Sequence, residues 1–180
     1  MDLTWVAGNA TALFLLWLLV SSGSQKLQPA HGFYYEVVFQ GYGIHHPLLA
    51  RHLPKVLGLF EIVVGMAIAV PSLRVLGGSA AAALLSAYLV LIAWQLVNGK
   101  ADMDCGCAGP EGEVKISPHL LVRNLVLVAL ALFSVMAGSG SGVMPWVLST
   151  LMAAVLVLVY LSSEQLIATA QRIGQMRSAH

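Results

Sequence analysis

The sequence predicts an all-α integral membrane protein, a bundle of about five transmembrane helices with a four-helix core and an interfacial helix in the first loop. The first reason is composition: hydrophobic residues make up 58% of the 180 residues and charged residues only 9%, whereas soluble domains carry about 25% charged residues. The second reason is that five apolar runs approach the length of about 20 residues that a bilayer requires. The net charge of +1 gives no reason to expect a nucleic-acid partner, so the expected surroundings are membrane lipid.

The predicted helices form a single domain over residues 1–180, with spans at about 3–21, 53–71, 75–97, 118–137 and 143–162. Asp2 is the only charge ahead of the first apolar run, which is long for a signal peptide, so we expect a retained helix. The connection 21–55 contains aromatic residues that favour a membrane interface, and its glycines and Pro47 limit it to a short helix and a turn. The tail after residue 162 keeps helical spacing and extends the fifth helix.

The third and fourth predicted helices carry packing and capping signals. Gly78, Ala82 and Ser86 recur every four residues, which gives one helix face flat enough for a neighbouring helix to approach closely. Ser117 and Pro118 form an N-cap followed by proline at the first helical position, so the fourth helix is expected to begin there.

Basic residues are distributed unevenly between the two ends of the predicted bundle. With five spans, the first connection, the loop before the fourth helix and the C-terminal tail share one end. The opposite end carries Arg74 alone, whereas the shared end carries Lys26, Arg51, Lys55, Lys100, Lys115, Arg123, Arg172 and Arg177. The positive-inside rule therefore predicts that the loop before the fourth helix is cytoplasmic.

That loop, "ADMDCGCAGPEGEVKISPH" at 101–119, contains the two cysteines of the chain, Cys105 and Cys107. Cysteines at this spacing can reach the Cα separation of about 4.4–6.8 Å that a disulfide needs, and Gly106 allows the backbone to close so small a ring. Such a ring is strained and readily reduced, and it adds little stability because the loop it closes is short. We therefore interpret the pair as a site of thiol–disulfide exchange.

Two other interpretations of the cysteines stay open. Cys105, Cys107 and His119 are candidate ligands for a soft ion such as Cu(I) or Zn(II), although a structural zinc site usually has four ligands. The chain would then be a membrane metal-handling protein or a non-catalytic assembly protein. The remaining interpretation is an inert turn that contains two cysteines.

Charged side chains inside the predicted spans need partners, because a charge in a bilayer costs at least about 2.5–3.5 kcal/mol. Glu61 lies about eight residues into the second predicted helix and Arg123 about five into the fourth, both counted from the cysteine-loop end. Their depths are similar, so we predict an ion pair between them, with Asn124 completing the hydrogen bonding and Lys26 joining from the first helix. One interpretation is that such a cluster is a structural ion pair that fixes helix register. The other is that it tunes the pKa of the thiols or holds a small polar or quinone-like molecule, and one cluster can have both a structural and a functional role.

Four stretches together are characteristic: "SSGSQKL", "LPKVLGLFEIVVGMAIAV", "DCGCAG" and "ISPHLLVRNLVLVALAL". With them the chain resembles, over almost its whole length, the MauE family of integral membrane proteins from methylamine utilisation operons and, more distantly, the DoxX-like four-helix membrane proteins. The loop of that family usually reads Cys-Gly-Cys-Phe-Gly. Ala108 stands here in place of the aromatic residue, which alters the surface offered to a partner but not the thiol pair.

The resemblance implies a thiol–disulfide oxidoreductase of the bacterial inner membrane that supports disulfide formation in partner proteins, beside a thioredoxin-like, MauD-like partner. It implies that Cys105 and Cys107 are the catalytic pair, with polar support from Lys26, Glu61, Arg123 and Asn124. One cysteine pair excludes a relay between two pairs, so electrons would pass to a bound quinone or to a second thiol partner. Because disulfides form in oxidising compartments, the resemblance favours an extracytoplasmic role, opposite to the side that the basic residues predict.

Overall fold

The structure is a computed structural model that describes residues 3–44, 46–99, 117–136 and 143–178. Within these ranges the chain is helical and contains no strand. Its helices are α1 (Leu3–Leu27), α2 (Gly32–Gly41), α3 (Pro47–Ala69), α4 (Arg74–Val97), α5 (Pro118–Met136) and α6 (Val143–Ser178). All of these except α2 are long and apolar enough to cross a membrane. The predicted fold class and the multi-pass membrane location are therefore confirmed.

Two of these helices are longer at the cysteine-loop end than hydropathy alone indicates. Helix α1 continues to Leu27, and α3 begins at Pro47 although Pro54 lies inside it. A proline removes one helical hydrogen bond and clashes with the carbonyl four residues earlier, so the sequence signal favours a later start. The longer α3 places Glu61 fourteen residues from the start of the helix rather than about eight.

Helix α1 is at the centre of the bundle, where it packs against α3, α5 and α6. The other contacts of the core join α3 to α4 and α4 to α5, so α1, α3, α4 and α5 form the four-helix core. Only 11% of the apolar stretch of α6 is buried, which leaves most of that helix facing lipid. The fully buried apolar side chains of the core include Leu15, Leu19, Ile68, Ala81 and Ala131.

Two glycine contacts bring helices unusually close together. A Cβ atom on Gly58 of α3 would lie 2.7 Å from the carbonyl oxygen of Gly23 on α1, so neither position accommodates a larger residue without movement. A Cβ atom on Gly78 of α4 would lie 2.5 Å from Val135 on α5. The predicted flat face of α4 is therefore confirmed at Gly78.

The short helix α2 lies in the first connection and packs against α3. It buries Tyr35 and Val38 and leaves Phe33 and Val37 exposed. Exposed apolar side chains on one face and contacts with the bundle on the other fit a helix at the membrane interface, as the aromatic composition of this segment predicted.

Candidate functional site

The spanning helices alternate in direction. The end of α1, the start of α3, the end of α4 and the start of α5 therefore lie at the same end of the bundle. We call this the loop end, since the segment that carries Cys105 and Cys107 joins α4 to α5 there. The two cysteines lie outside the described residues. The described residues do show what surrounds the two points where that segment is attached, Gly99 and Ser117.

A buried ion pair between Lys26 and Glu61 is the main polar feature of the loop end. The Lys26 Nζ atom lies 3.0 Å from Glu61 Oε1 and 2.9 Å from Glu61 Oε2, and it also donates to Ser22 Oγ at 2.7 Å. Lys26 is 5% exposed and Glu61 is 0% exposed. Each of the three ammonium protons of Lys26 thus has an acceptor, which is the condition for holding a charge away from water.

Two tyrosines complete this arrangement. Tyr88 of α4 donates its hydroxyl proton to Glu61 Oε1. The Lys26 Nζ atom lies 5.8 Å from the centre of the Tyr88 ring and 6.0 Å from that of Tyr35 on α2, within the range of a cation–π interaction. We call the five residues Ser22, Lys26, Tyr35, Glu61 and Tyr88 the lysine–glutamate cluster, and it joins α1, α2, α3 and α4.

The glycine contact between α1 and α3 explains why the pair can form. Gly23 precedes Lys26 by three residues and Gly58 precedes Glu61 by three, so each glycine lies about one helical turn from a charged residue. Because α1 and α3 run in opposite directions, Lys26 lies beside Gly58 and Glu61 lies beside Gly23: an added Cβ atom would be 2.9 Å from the Lys26 Cβ atom at Gly58 and 3.3 Å from the Glu61 Cβ atom at Gly23. The close approach of the two backbones at the glycines therefore brings the two charged side chains within reach of one another. The stretch "SSGSQKL" therefore encodes both the close approach and the lysine.

Arg123 does not pair with Glu61, so that prediction is wrong. Its Nη1 atom lies 2.6 Å from Glu164 Oε1 on α6, and its guanidinium carbon lies 5.7 Å from the centre of the Tyr160 ring. Tyr160 also donates to Glu164 Oε1 at 2.8 Å. Similar depth in the membrane was the argument for pairing Arg123 with Glu61, but depth does not say which way a side chain faces around the helix axis.

Glu164 was missed by sequence analysis because it falls after the predicted end of the fifth span. The available signal was a single acidic residue in "YLSSEQ" with no basic residue within four positions, at a point where α6 still continues. An acidic side chain without a local partner in an apolar helix indicates a partner on another helix.

Asn124 is buried but belongs to neither ion pair. Its Nδ2 atom donates to the Leu120 carbonyl oxygen of its own helix at 2.9 Å, and the residue is 2% exposed. Of the four predicted support residues, the structure thus brings Lys26 and Glu61 into contact with each other. Arg123 belongs to a second ion pair.

His119, the third ligand of the metal alternative, is exposed in the first turn of α5. It lines a surface depression with Leu166, Ile167 and Ala170 of α6. Within the described ranges, no group of three or more His, Cys, Asp or Glu residues is arranged to hold a metal ion. A site that includes the two cysteines lies outside the described residues.

At the opposite end of the bundle, Arg74 is 6% exposed and donates to Asn9 Oδ1 at 2.6 Å. Arg74 is the basic residue that the sequence places alone at that end, and it is therefore buried in the protein through its contact with α1. Exposed basic residues at the loop end include Arg51 and Lys55, which keeps the charge asymmetry between the two ends.

The fold and the site define a multi-pass helical membrane protein that holds a buried lysine–glutamate pair at the end of the bundle to which a Cys-Gly-Cys segment is attached. The chain belongs to the MauE family, since the family described as "Methylamine utilisation protein MauE" matches residues 3–137. The match covers α1 to α5, including both cysteines, Lys26 and Glu61. Glu164 on α6 lies beyond it.

Two curated relatives support the family assignment. The "Methylamine utilization protein MauE" of Paracoccus denitrificans is 34% identical over 123 residues, which is 68% of this chain and 65% of that protein. The protein of the same name from Methylophilus methylotrophus is 30% identical over 123 residues, 68% of this chain and 64% of that protein. The aligned part of the chain thus spans slightly less than two thirds of each relative. No solved structure matched the chain.

Proposed function

We propose that the protein is an intramembrane thiol–disulfide oxidoreductase of the methylamine utilisation system, with Cys105 and Cys107 as the exchanging pair. The observation that carries this proposal is that the two cysteines of the chain stand two residues apart in the segment joining α4 to α5. Its attachment points lie at the same end as the lysine–glutamate cluster. The names of the two relatives, which assign those proteins to methylamine utilisation, support the biological setting.

The proposed reaction is a two-electron exchange with a protein partner. A thiolate of the partner attacks the Cys105–Cys107 disulfide and forms a mixed disulfide; the second thiolate of the partner then breaks that bond. The partner leaves with a disulfide, and Cys105 and Cys107 are left as two thiols. Reoxidation requires an acceptor of two electrons and two protons, which is a quinone or the disulfide of a second protein.

The strain of so small a disulfide ring supports this direction. Strained disulfides have more oxidising potentials than structural ones, so the pair is suited to accept electrons from the thiols of a thioredoxin-like partner. A partner of that type also presents an exposed cysteine pair, which reaches a segment at a membrane surface more easily than a folded substrate protein does.

The lysine–glutamate cluster supports the proposal by fixing the packing of the helix on which the cysteine segment begins. Tyr88 and Glu61 connect α4, on which the cysteine segment begins, to α3 and α1. Cys105 is six residues after Gly99, so the chain between them can extend at most about 21 Å. This length limits how far the thiols can be from the loop end, where a soluble partner and the membrane are both within reach.

A trapping experiment tests the proposal. The wild-type chain and the variants Cys105→Ser, Cys107→Ser and Cys105→Ser/Cys107→Ser are each purified from cells that also contain a thioredoxin-like partner with its resolving cysteine replaced. The remaining thiolate of the partner attacks the Cys105–Cys107 disulfide, so we expect the wild-type chain to accumulate a mixed disulfide that dithiothreitol releases, and the three variants, which cannot form that disulfide, to accumulate none. Absence of a mixed disulfide with the wild-type chain, together with an unchanged redox state of the intact partner when either cysteine is replaced, would contradict the proposal.

Metal analysis of the purified wild-type chain distinguishes an oxidoreductase from the alternative, a metal-handling protein. If the protein is an oxidoreductase, we expect less than about one tenth of an equivalent of copper or zinc per chain, since an exchanging pair must be free of tightly bound metal. One equivalent that disappears in the double cysteine variant would instead support the metal alternative, with His119 as the third ligand to replace.

A further inference from the structure

A cavity of about 300 Å³ lies at the loop end between α2, α3 and α4, with Lys26 of α1 at its inner end. Its volume is at the lower end of the range of about 300–1,000 Å³ seen for small-molecule sites. Apart from Lys26, Tyr42 and Tyr88, its lining is apolar and includes Val38, Phe39, Leu53, Leu57, Leu84 and Ile92. A ligand of this cavity must therefore be largely apolar.

The cavity opens on the outer surface of the bundle. Ala87 and Leu91 line it, and both are exposed, Leu91 to 48%. They lie in the part of α4 that is apolar enough to span a membrane, so their exposed faces meet lipid rather than water. A ligand would enter sideways from the bilayer.

The inner end of the cavity favours an uncharged head group. The charges of Lys26 and Glu61 already neutralise each other at 2.9 Å. A carboxylate or phosphate placed beside them would add a second negative charge near Glu61 in a medium of low dielectric constant, and an amine would add a second positive charge near Lys26. Fatty acids and charged lipid head groups are disfavoured for this reason.

The same end can still offer a hydrogen bond. Glu61 Oε1 accepts from both Lys26 and Tyr88, so Lys26 can turn one N–H group toward a ligand without leaving that oxygen unpaired. A carbonyl oxygen on the ligand is the matching acceptor. Phe39, Tyr42 and Tyr88 line the cavity and provide ring faces and edges that suit a flat ring.

From these features we infer that the cavity binds an isoprenoid quinone, with its ring against Lys26 and Tyr88 and its chain leaving between Ala87 and Leu91 into the bilayer. The neutral charge, the ring, the carbonyl oxygen and the apolar tail each match one part of the site. Binding of the quinone requires the described residues alone.

The role of this quinone as electron acceptor rests on the proposed function. In that role the thiols of Cys105 and Cys107 give two electrons and two protons to the quinone, which forms a disulfide and a quinol. Tyr88 lies eleven residues before Gly99 on α4, about 16 Å along the helix axis, and the segment from Gly99 to Cys105 extends up to about 21 Å. The length of the chain therefore allows the cysteines to reach the cavity.

The test measures quinone binding directly. The full chain in phosphatidylcholine nanodiscs is photolabelled with an azido-substituted ubiquinone, decylubiquinone is added as competitor, and the labelled peptides are identified by mass spectrometry. We expect saturable labelling of residues that line the cavity. Ala87→Trp fills the opening, so it should weaken competition by decylubiquinone at least tenfold. Ala83→Trp is the matched control, because Ala83 is exposed on the same helix and does not line the cavity; its competition should stay within twofold of wild type.

The double variant Cys105→Ser/Cys107→Ser separates the two proposals. Saturable binding that survives in this variant supports the inference even if the trapping experiment fails. Three results would each overturn the inference. The first is labelling that decylubiquinone does not reduce, and the second is an equal weakening of decylubiquinone competition in Ala87→Trp and Ala83→Trp. The third is competition by diacylglycerol that is as strong as competition by decylubiquinone. If the chain forms mixed disulfides but does not bind quinone, the inference about the cavity is wrong. The proposed function would then stand, with the disulfide of a second protein as the electron acceptor.

Discussion

Lys26 and Glu61 are separated by 35 residues in the sequence, yet their side chains meet at 2.9 Å where neither is more than 5% exposed. The pair connects α1 to α3, and Tyr88 extends it to α4. Ion pairs of this kind hold two helices in a fixed register, because a shift of one residue leaves a charge unpaired in the membrane. Lys26 also lines the cavity at the loop end, so we expect the stability of the core and the shape of that cavity to depend on this contact.

Loss of either partner of this pair should destabilise the protein strongly. Lys26→Met and Glu61→Gln should each cost about 3–5 kcal/mol in free energy of unfolding, because each leaves a buried charge without its partner. The double variant Lys26→Met/Glu61→Gln should cost clearly less than the sum. Thermal unfolding in detergent measures all three variants, with Lys55→Met as the control since Lys55 is exposed on α3. Strictly additive losses would argue that the two side chains do not interact.

The glycine contact between α1 and α3 gives a second prediction. Gly23→Ala places a Cβ atom against the Gly58 carbonyl and the Ile62 side chain, so the helices must separate and the lysine–glutamate contact must lengthen. We expect a loss of about 1–3 kcal/mol, the usual cost of overpacking. Gly32→Ala is the matched control because no atom lies within 4 Å of the added Cβ. Equal unfolding temperatures for the two variants would show that α1 and α3 are not in close contact at Gly23.

The pairing of Arg123 with Glu164 predicts a specific pattern of energetic coupling. Double-mutant cycles with Arg123→Gln should give a coupling energy of about 0.5–3 kcal/mol with Glu164→Gln, and a value within about 0.5 kcal/mol of zero with Glu61→Gln. Chemical unfolding in mixed micelles supplies the four free energies of each cycle. Strong coupling with Glu61→Gln and none with Glu164→Gln would instead support the ion pair between Arg123 and Glu61 that was predicted from their similar depth in the membrane.

Removal of the Tyr88 hydroxyl tests the third member of the buried network. Tyr88→Phe keeps the ring beside Lys26 and removes the hydrogen bond to Glu61 Oε1, so we expect a loss of about 1.5–3 kcal/mol, as for a hydrogen bond to a charged group. In the Glu61→Gln background the same change should cost less, because the acceptor is no longer charged. Identical losses in both backgrounds would indicate that the hydroxyl does not donate to Glu61.

Sequence analysis predicted the fold class because apolar runs long enough to span a bilayer leave few alternatives to membrane helices. It also identified Glu61 and Arg123 as charges that need partners, and it placed Lys26 at the same end of the bundle as an additional member of the cluster. The choice of partner failed because helix depth follows from counting residues, whereas the direction a side chain faces depends on packing. Arg123 faces α6, and α6 carries a glutamate beyond the predicted end of its span.

The role of the glycines was equally hidden in the sequence. Gly23 and Gly58 contact one another only when α1 and α3 cross at that point, and each glycine taken alone is an ordinary small residue in an apolar helix. The short helix α2 was easier to predict, since aromatic residues between two spans favour the interface. Its contact with Lys26 through Tyr35 follows from the packing of α2 on α3, which no local pattern indicates.

The redox behaviour of Cys105 and Cys107 in intact membranes tests the central claim most directly. Thiols are trapped with acid and alkylated with a maleimide that adds mass, before and after a brief pulse of reductant followed by its removal. We predict that the pair is a disulfide at the start, becomes two thiols in the pulse, and returns to a disulfide within minutes in membranes but not after purification away from its acceptor. A pair that stays oxidised through the pulse, or that stays reduced afterwards in membranes, would contradict a function in thiol–disulfide exchange.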